Sequence, residues 1–241
     1  MNLILKTILT PARYSYRSLL YIKKRSKTIF QKSEDSYKIH NSQYIDPTAL
    51  ENHKKTFKEF ENQDLFNHPE NKIEQLLLEH PNVRETAVDI GCGAGWMSAK
   101  LSETFKNVIA IEPSDAAIEI GKHIFSDKKY SNIQWIVGFA EKELQKYQLE
   151  QPVFFVTGCV LSHIIDKTVK DICAAVNNIA QKGSILSFAE CWGKESHDFM
   201  WHIRTKEWWQ QQLSDWKLDF HGPTIQNLSD RHKGFHGIKI K

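Results

Sequence analysis

A three-layer α/β fold, with a mostly parallel sheet of seven strands and helices on both faces, is predicted by three features of this 241-residue sequence. From Arg84 onward, short apolar β-type runs alternate with stretches of helical periodicity, as in successive βαβ units. A glycine-rich turn, Gly91-Cys92-Gly93-Ala94-Gly95, separates the first such run from the first helical stretch. Near the C-terminus, two strand-like runs follow one helix, which suits an antiparallel closure of one sheet edge.

The chain divides into a basic tail (residues 1–33), a helical N-terminal extension (34–84) and the α/β domain proper (85–241). Within residues 1–32 stand Lys6, Arg13, Arg17, Lys23, Lys24, Arg25, Lys27 and Lys32, and no acidic residue. Leu5, Leu9, Ala12, Tyr16 and Leu19 follow a helical spacing on a side apart from Lys6, Arg13, Arg17 and Lys24, and Pro11 splits the segment in two. Such a segment suits peripheral contact with an anionic membrane, each basic residue adding up to about 1 kcal/mol near the surface. A mitochondrial presequence and a solvated tail share the same composition, so all three readings stand.

In the extension, Asp46-Pro47 reads as an N-cap with a first-turn proline, and a second helix is expected over Pro69–Glu79. Strands are expected at Thr86–Ile90, Asn107–Ile111, Ile133–Val137, Val153–Thr157 and Ser184–Ala189. Helices are expected near Trp96–Thr104, Asp115–Phe125, Glu141–Tyr147 and Lys167–Ala180. A last helix over Thr205–Leu213 precedes strands at Trp216–Phe220 and Phe235–Ile240.

Composition bounds the function classes. Apolar residues make up 41% and charged residues 25%, as in soluble globular domains, and no apolar stretch is long enough to span a bilayer. The first residues lack the continuous apolar core of a secretory signal. Cys92, Cys159, Cys173 and Cys191 form no C-x-x-C pair, which fits reduced thiols in a cytoplasmic setting. The 11 histidines show no metal-ligand spacing, so no dedicated metal site is expected. Beyond the tail the chain is mildly acidic, which argues against a nucleic-acid groove. The oligomeric state is not readable.

The central motif is Ala87-Val88-Asp89-Ile90-Gly91-Cys92-Gly93-Ala94-Gly95-Trp96. A buried strand there runs into a glycine turn and then a helix, whose first N–H groups face a polar ligand. The G-x-G-x-G spacing departs from the G-x-G-x-x-G of dinucleotide pyrophosphate sites. Glu112 closes the second strand (Val108-Ile109-Ala110-Ile111-Glu112), where an acid can accept hydrogen bonds from both ribose hydroxyls of an adenosine.

On these residues, over about 85–190, the sequence resembles the class I S-adenosylmethionine-dependent methyltransferases. The resemblance implies a Rossmann-like sheet with an antiparallel last strand, and S-adenosyl-L-methionine as cofactor. It assigns the loop residues Asp89, Gly91, Cys92, Gly93 and Gly95 to the methionine end and Glu112 to the ribose. After the third strand the family often has Gly-Asp-Ala; here Gly138-Phe139-Ala140-Glu141 puts Phe139 where an acid is usual, with Phe139 or Glu141 near the adenine and Ala140 beside it. After the fourth strand, Thr157-Gly158-Cys159-Val160-Leu161-Ser162-His163-Ile164 is similar to the family's V-L-x-H-I segment, which places Thr157 toward the cofactor and His163 beside the methyl group.

Methyl transfer from a sulfonium is a displacement in which acceptor, methyl carbon and sulfur line up, and an oxygen acceptor needs a base matched to neutral pH. His163 is the candidate base, with ordering of its loop as the duller account. No Asn/Asp-Pro-Pro-Tyr motif follows the fourth strand, which disfavours planar nitrogens, and no paired catalytic cysteine points to cytosine C5 chemistry. The Trp- and His-rich segment after residue 190 offers His197, Trp201, His202 and Arg204 as acceptor contacts, with ordinary packing as the competing reading. The expected reaction is O-methylation of a small molecule or of a sugar on a glycoconjugate. A non-catalytic cofactor-binding partner subunit and an NAD(P)-dependent oxidoreductase are the alternatives from other classes.

Overall fold

The computed structural model describes residues 41, 43–60, 73–193, 196–197, 202–221 and 234–241. The basic tail with its expected membrane contact, and the start of the helix expected at Pro69, lie outside these residues.

Parallel strands β1 (Thr86–Ile90), β2 (Asn107–Glu112), β3 (Ile133–Val137), β4 (Val153–Gly158) and β5 (Ile185–Ala189) form the body of the sheet. Strands β8 (Trp216–His221) and β9 (Gly234–Lys239) complete it in the order β3-β2-β1-β4-β5-β9-β8. β9 is antiparallel to both neighbours, with Phe188 opposite Phe235 and Ile185 opposite Ile238. The expected Rossmann-like sheet with antiparallel closure is therefore the observed one. The strand order reverses between β1 and β4, and ligands of open α/β sheets bind outside the carboxyl ends of the strands at such a point.

Alternation along each strand feeds two cores. Val88, Ile90, Ile109, Ile111, Phe155 and Phe188 face helix α6 (Asp166–Ile179) and the C-terminal Trp209 and Trp216. Ala87, Val108, Ala110, Phe154 and Ile185 face the opposite way, onto helices α2 (Ile73–Glu79), α3 (Trp96–Ser102) and α4 (Asp115–Ile124). Near-continuous burial along β4 and β5 is what a sheet covered on both faces demands.

Helix α1 (Ala49–Phe60) follows the expected cap: Asp46 Oδ1 accepts the Thr48 N–H at 2.8 Å, with Pro47 between them. The helix expected over Glu141–Tyr147 is instead a short α5 (Ala140–Glu143) running into a 3₁₀ turn (Leu144–Lys146). At the far end the Tyr147 N–H donates to the Leu144 carbonyl three residues back, the tighter 3₁₀ pattern that closes this element. A two-stranded ribbon, β6 (Ser196–His197) against β7 (His202–Ile203), was not expected, since two residues per strand leave no periodicity to read. Helix α7 (Lys206–Gln212) is capped by Thr205, whose Oγ1 accepts the Trp208 N–H.

Candidate active site

The carboxyl ends of β1, β2 and β4 supply the site. Past Ile90 the chain turns on Gly91, whose N–H, with that of Cys92, donates to the Ile111 carbonyl at 2.8 and 3.1 Å. This fixes the glycine turn to the end of β2. Gly95 enters α3 in the left-handed region (φ +85°), and a Cβ there would lie 2.2 Å from the Trp135 ring. Both facts require glycine.

Asp89 is buried beneath the turn and accepts the Ser98 hydroxyl at 2.6 Å, tying β1 to α3. Burial, reinforced by the nearby charge of Glu112 and opposed by Ser98, pushes its carboxyl up to about 7.

Glu112 bridges two backbone segments. Its Oε2 accepts the Gly93 N–H at 3.1 Å and its Oε1 accepts the Ser114 N–H at 3.0 Å. A carboxylate offers about four lone-pair positions, so each oxygen retains acceptor capacity. Burial raises the Glu112 pKa above the usual carboxylate value despite these two donors.

Tyr44, which sequence reasoning missed, stands over this pair. Its Oη lies 2.7 Å from the position a Cβ on Gly93 would take, and its ring stacks on His53 of α1 at 5.2 Å. Burial and the Glu112 charge push its phenol pKa up. Ser114 Oγ donates to the side-chain carbonyl of Asn41, a second tie between this segment and the start of α4.

On the β4 side, the chain passes Cys159 at φ +57° and enters a 3₁₀ turn, Leu161–His163. The N–H groups of Val160, Leu161 and Ser162 all donate to the buried Glu190, just past β5.

Gly91, Gly93, Glu112, Phe139, Ala140 and His163 line one cleft of about 280 Å³, together with Tyr44, Gly158 and Val160. That volume is close to the lower bound of small-molecule sites, about 300 Å³. Of the other loop residues, Asp89 and Cys92 are buried in support of the turn, and Gly95 sits against Trp135. Phe139 precedes α5, and its ring lies 5.4 Å from Lys142 Nζ.

Two expectations are corrected. Thr157 is fully buried and gives its hydroxyl to Glu190 at 2.8 Å, so it supports the turn and does not reach the cofactor side. Arg204 is 1% exposed and spends its donors on Asp166 and on the carbonyls of Leu161, Ile164 and His202, so it is not an acceptor contact. Its guanidinium is satisfied by three backbone carbonyls and the Asp166 carboxylate, which no residue-level pattern announces. His202 is half-buried on β7, which packs against the 3₁₀ turn. The backbone of His197 pairs with that of His202, and Trp201 lies outside the described residues.

A family model described as a methyltransferase domain matches residues 87–183, the stretch holding the glycine turn, Glu112 and the His163 turn. Residues 87–183 are thus similar to methyltransferase domains, a likeness that covers about two fifths of the chain. Over 70 residues the chain is 36% identical to a probable cobalt-precorrin-6B C(15)-methyltransferase (decarboxylating) of Methanocaldococcus jannaschii, covering 29% of this chain and 38% of that protein. Over 110 residues it is 28% identical to the probable S-adenosylmethionine-dependent methyltransferase CRG1 of Saccharomyces cerevisiae, covering 45% of this chain and 31% of that one. The matched part thus spans about a third of each curated relative. Among solved structures, the N-methyltransferase NodS from Bradyrhizobium japonicum, in complex with S-adenosyl-L-homocysteine, superposes with a TM-score of 0.60 at 14% identity, covering 85% of this chain and 98% of that one. The amino pentose methyltransferase CalS10 from Micromonospora echinaspora gives 0.58 at 10% identity, covering 77% and 95%. At such identities the likeness to these methyltransferases is one of fold.

Proposed function

We propose that this chain transfers a methyl group from S-adenosyl-L-methionine to a hydroxyl of a small molecule or sugar, with His163 taking the proton. The observation that carries this reading is that the glycine turn, Glu112 and His163 line the same cleft.

The residues present fit the cofactor. Each Glu112 oxygen holds one backbone donor and keeps room for one more, which suits a vicinal diol. Partial desolvation disfavours the carboxylate's charge, and hydroxyl donors would restore it. When bound, S-adenosyl-L-methionine supplies an electrophilic methyl group on a sulfonium.

Gly91 and Gly93 keep side chains out of the cleft, so backbone lines it there. Ile90, Val160, Ile164 and Ile172 wall it with apolar surface that limits water at the reacting atoms. The imidazole of His163, held on the turn after β4, accepts the proton of an acceptor hydroxyl. Holding acceptor and donor in line contributes more than the base, on the order of 7–11 kcal/mol against 10²–10⁴-fold.

NodS and CalS10 carry names that specify nitrogen or amino-sugar chemistry, so amines belong in the acceptor panel beside phenols and sugars. The test is radiolabel transfer from methyl-labelled S-adenosyl-L-methionine to that panel, with His163→Gln alongside. Label on a hydroxyl, with kcat lowered roughly 10²–10⁴-fold in the variant, supports the reading. Label on an amine would overturn the O-methylation claim. Cofactor binding without transfer to any acceptor would favour a non-catalytic partner subunit.

A further inference from the structure

The turn that carries His163 is gripped from two sides by buried charged groups that do not line the cleft. On one side stands Glu190, 0% exposed. Its Oε1 accepts the Thr157 hydroxyl and the N–H groups of Val160 and Leu161 at 2.8, 2.9 and 3.0 Å. Its Oε2 accepts the N–H and the hydroxyl of Ser162 at 2.9 and 2.8 Å. Successive backbone N–H groups converging on one anion form a nest, and here the protein supplies the anion itself. On the other side, Arg204 Nη1 donates to the Leu161 carbonyl at 2.8 Å and Nη2 to the Ile164 carbonyl at 2.5 Å. Its Nε is anchored on Asp166 at 2.9 Å.

We infer that Glu190 and Arg204 are positioning residues that together fix the backbone of the Val160–Ile164 turn, and through it the imidazole of His163. Glu190 takes the turn's donors and Arg204 takes its acceptors. Leu161 is held at both its N–H and its carbonyl, two residues before His163. The grip also explains how the turn tolerates Cys159 at φ +57°, a conformation that L residues rarely hold without surrounding support. The segment after β5 thus acts on the chemistry through the turn, and not through contact by Arg204 with the acceptor. This inference rests on His163 being the base.

The test needs no acceptor. Glu190→Gln keeps the shape but replaces one oxygen with a donor, so at least one of the turn's N–H groups faces another N–H. Arg204→Lys keeps the charge but loses the fork that spans two carbonyls. Amide hydrogen exchange and the imidazole carbon signals of His163 are followed by NMR in the full chain. The expected result is exchange at Val160, Leu161 or Ser162 faster by at least about tenfold in Glu190→Gln, with β1 amides still protected. The His163 ring signals are expected to move or broaden in both variants. Unchanged His163 signals in both variants, whatever happens to the melting temperature, would overturn the inference. Should Glu190→Gln fail to fold, Arg204→Lys decides alone. Binding of S-adenosylhomocysteine to the wild-type chain tests the methyltransferase reading separately: its absence would sink that reading and leave the grip on the turn measurable.

Discussion

Gly93 N–H donates to Glu112 Oε2 at 3.1 Å, so the glycine turn after β1 and the acid at the end of β2 form one unit. Two sides of the cleft are thereby set by one contact. The backbone of the turn is held where it lines the cleft, and the carboxylate is aimed into the same space. Ser114 holds the other oxygen, so the carboxylate plane is fixed as well.

Gly95→Ala is expected to destabilise the domain strongly. The residue sits at φ +85°, which costs an L side chain about 1–2 kcal/mol, and its Cβ would meet the Trp135 ring at 2.2 Å. Overpacking of that kind adds about 1–3 kcal/mol. Thermal unfolding should show a melting temperature lower by roughly 5–15 °C for a domain of this size. An unchanged melting temperature would mean that the turn has another conformation.

Asp89 makes stability fall as pH rises. Its carboxyl is raised from 3.8 to about 7 in the folded chain, so between those values the native state keeps a proton that the unfolded chain has released. Stability is then greatest at the acidic end of that window and is lost progressively toward pH 7, by on the order of 2–4 kcal/mol. Asp89→Asn should flatten most of this slope in urea unfolding measured at about pH 4, 5, 6 and 7, one unit apart across the window. A smaller residual slope from Glu112, raised in the same direction, is expected to remain.

Tyr44→Ala is expected to weaken binding of S-adenosylhomocysteine by about tenfold, the scale of one well-placed aromatic contact. Tyr44 lines the cleft and stands over Gly93, braced by His53. Titration calorimetry reads the change directly. Equal affinity in the variant would place Tyr44 outside the binding surface.

The sheet was legible because its physics is local. Thr86–Ile90 and Ile133–Val137 match the expected strands residue for residue, since β-branched runs with a polar residue before them and a glycine after leave little choice. Asp46-Pro47 announced α1 by capping chemistry that acts over a few residues. The support of the His163 turn was not legible. Glu190, just past β5, meets Thr157 at the end of the neighbouring β4 and Ser162 in the turn beyond it, and Arg204, just past β7, meets Leu161, so both roles arise only on folding. Arg204 was expected to contact the acceptor, but backbone carbonyls and the Asp166 carboxylate take its donors instead. Tyr44 was equally hidden, since nothing near it in sequence marks its place over Gly93. A strand-end acid at Glu190, directly after a fully buried strand, was the one signal that could have been read.

The most direct measurement is a calorimetric titration of the purified chain with S-adenosylhomocysteine, wild type beside Glu112→Ala. Saturable binding by the wild type is expected, weakened on the order of 10²-fold in the variant, as the loss of two hydrogen bonds to a charged acceptor implies. No binding by the wild type would contradict the proposed cofactor, and equal binding by both would contradict the role given to Glu112.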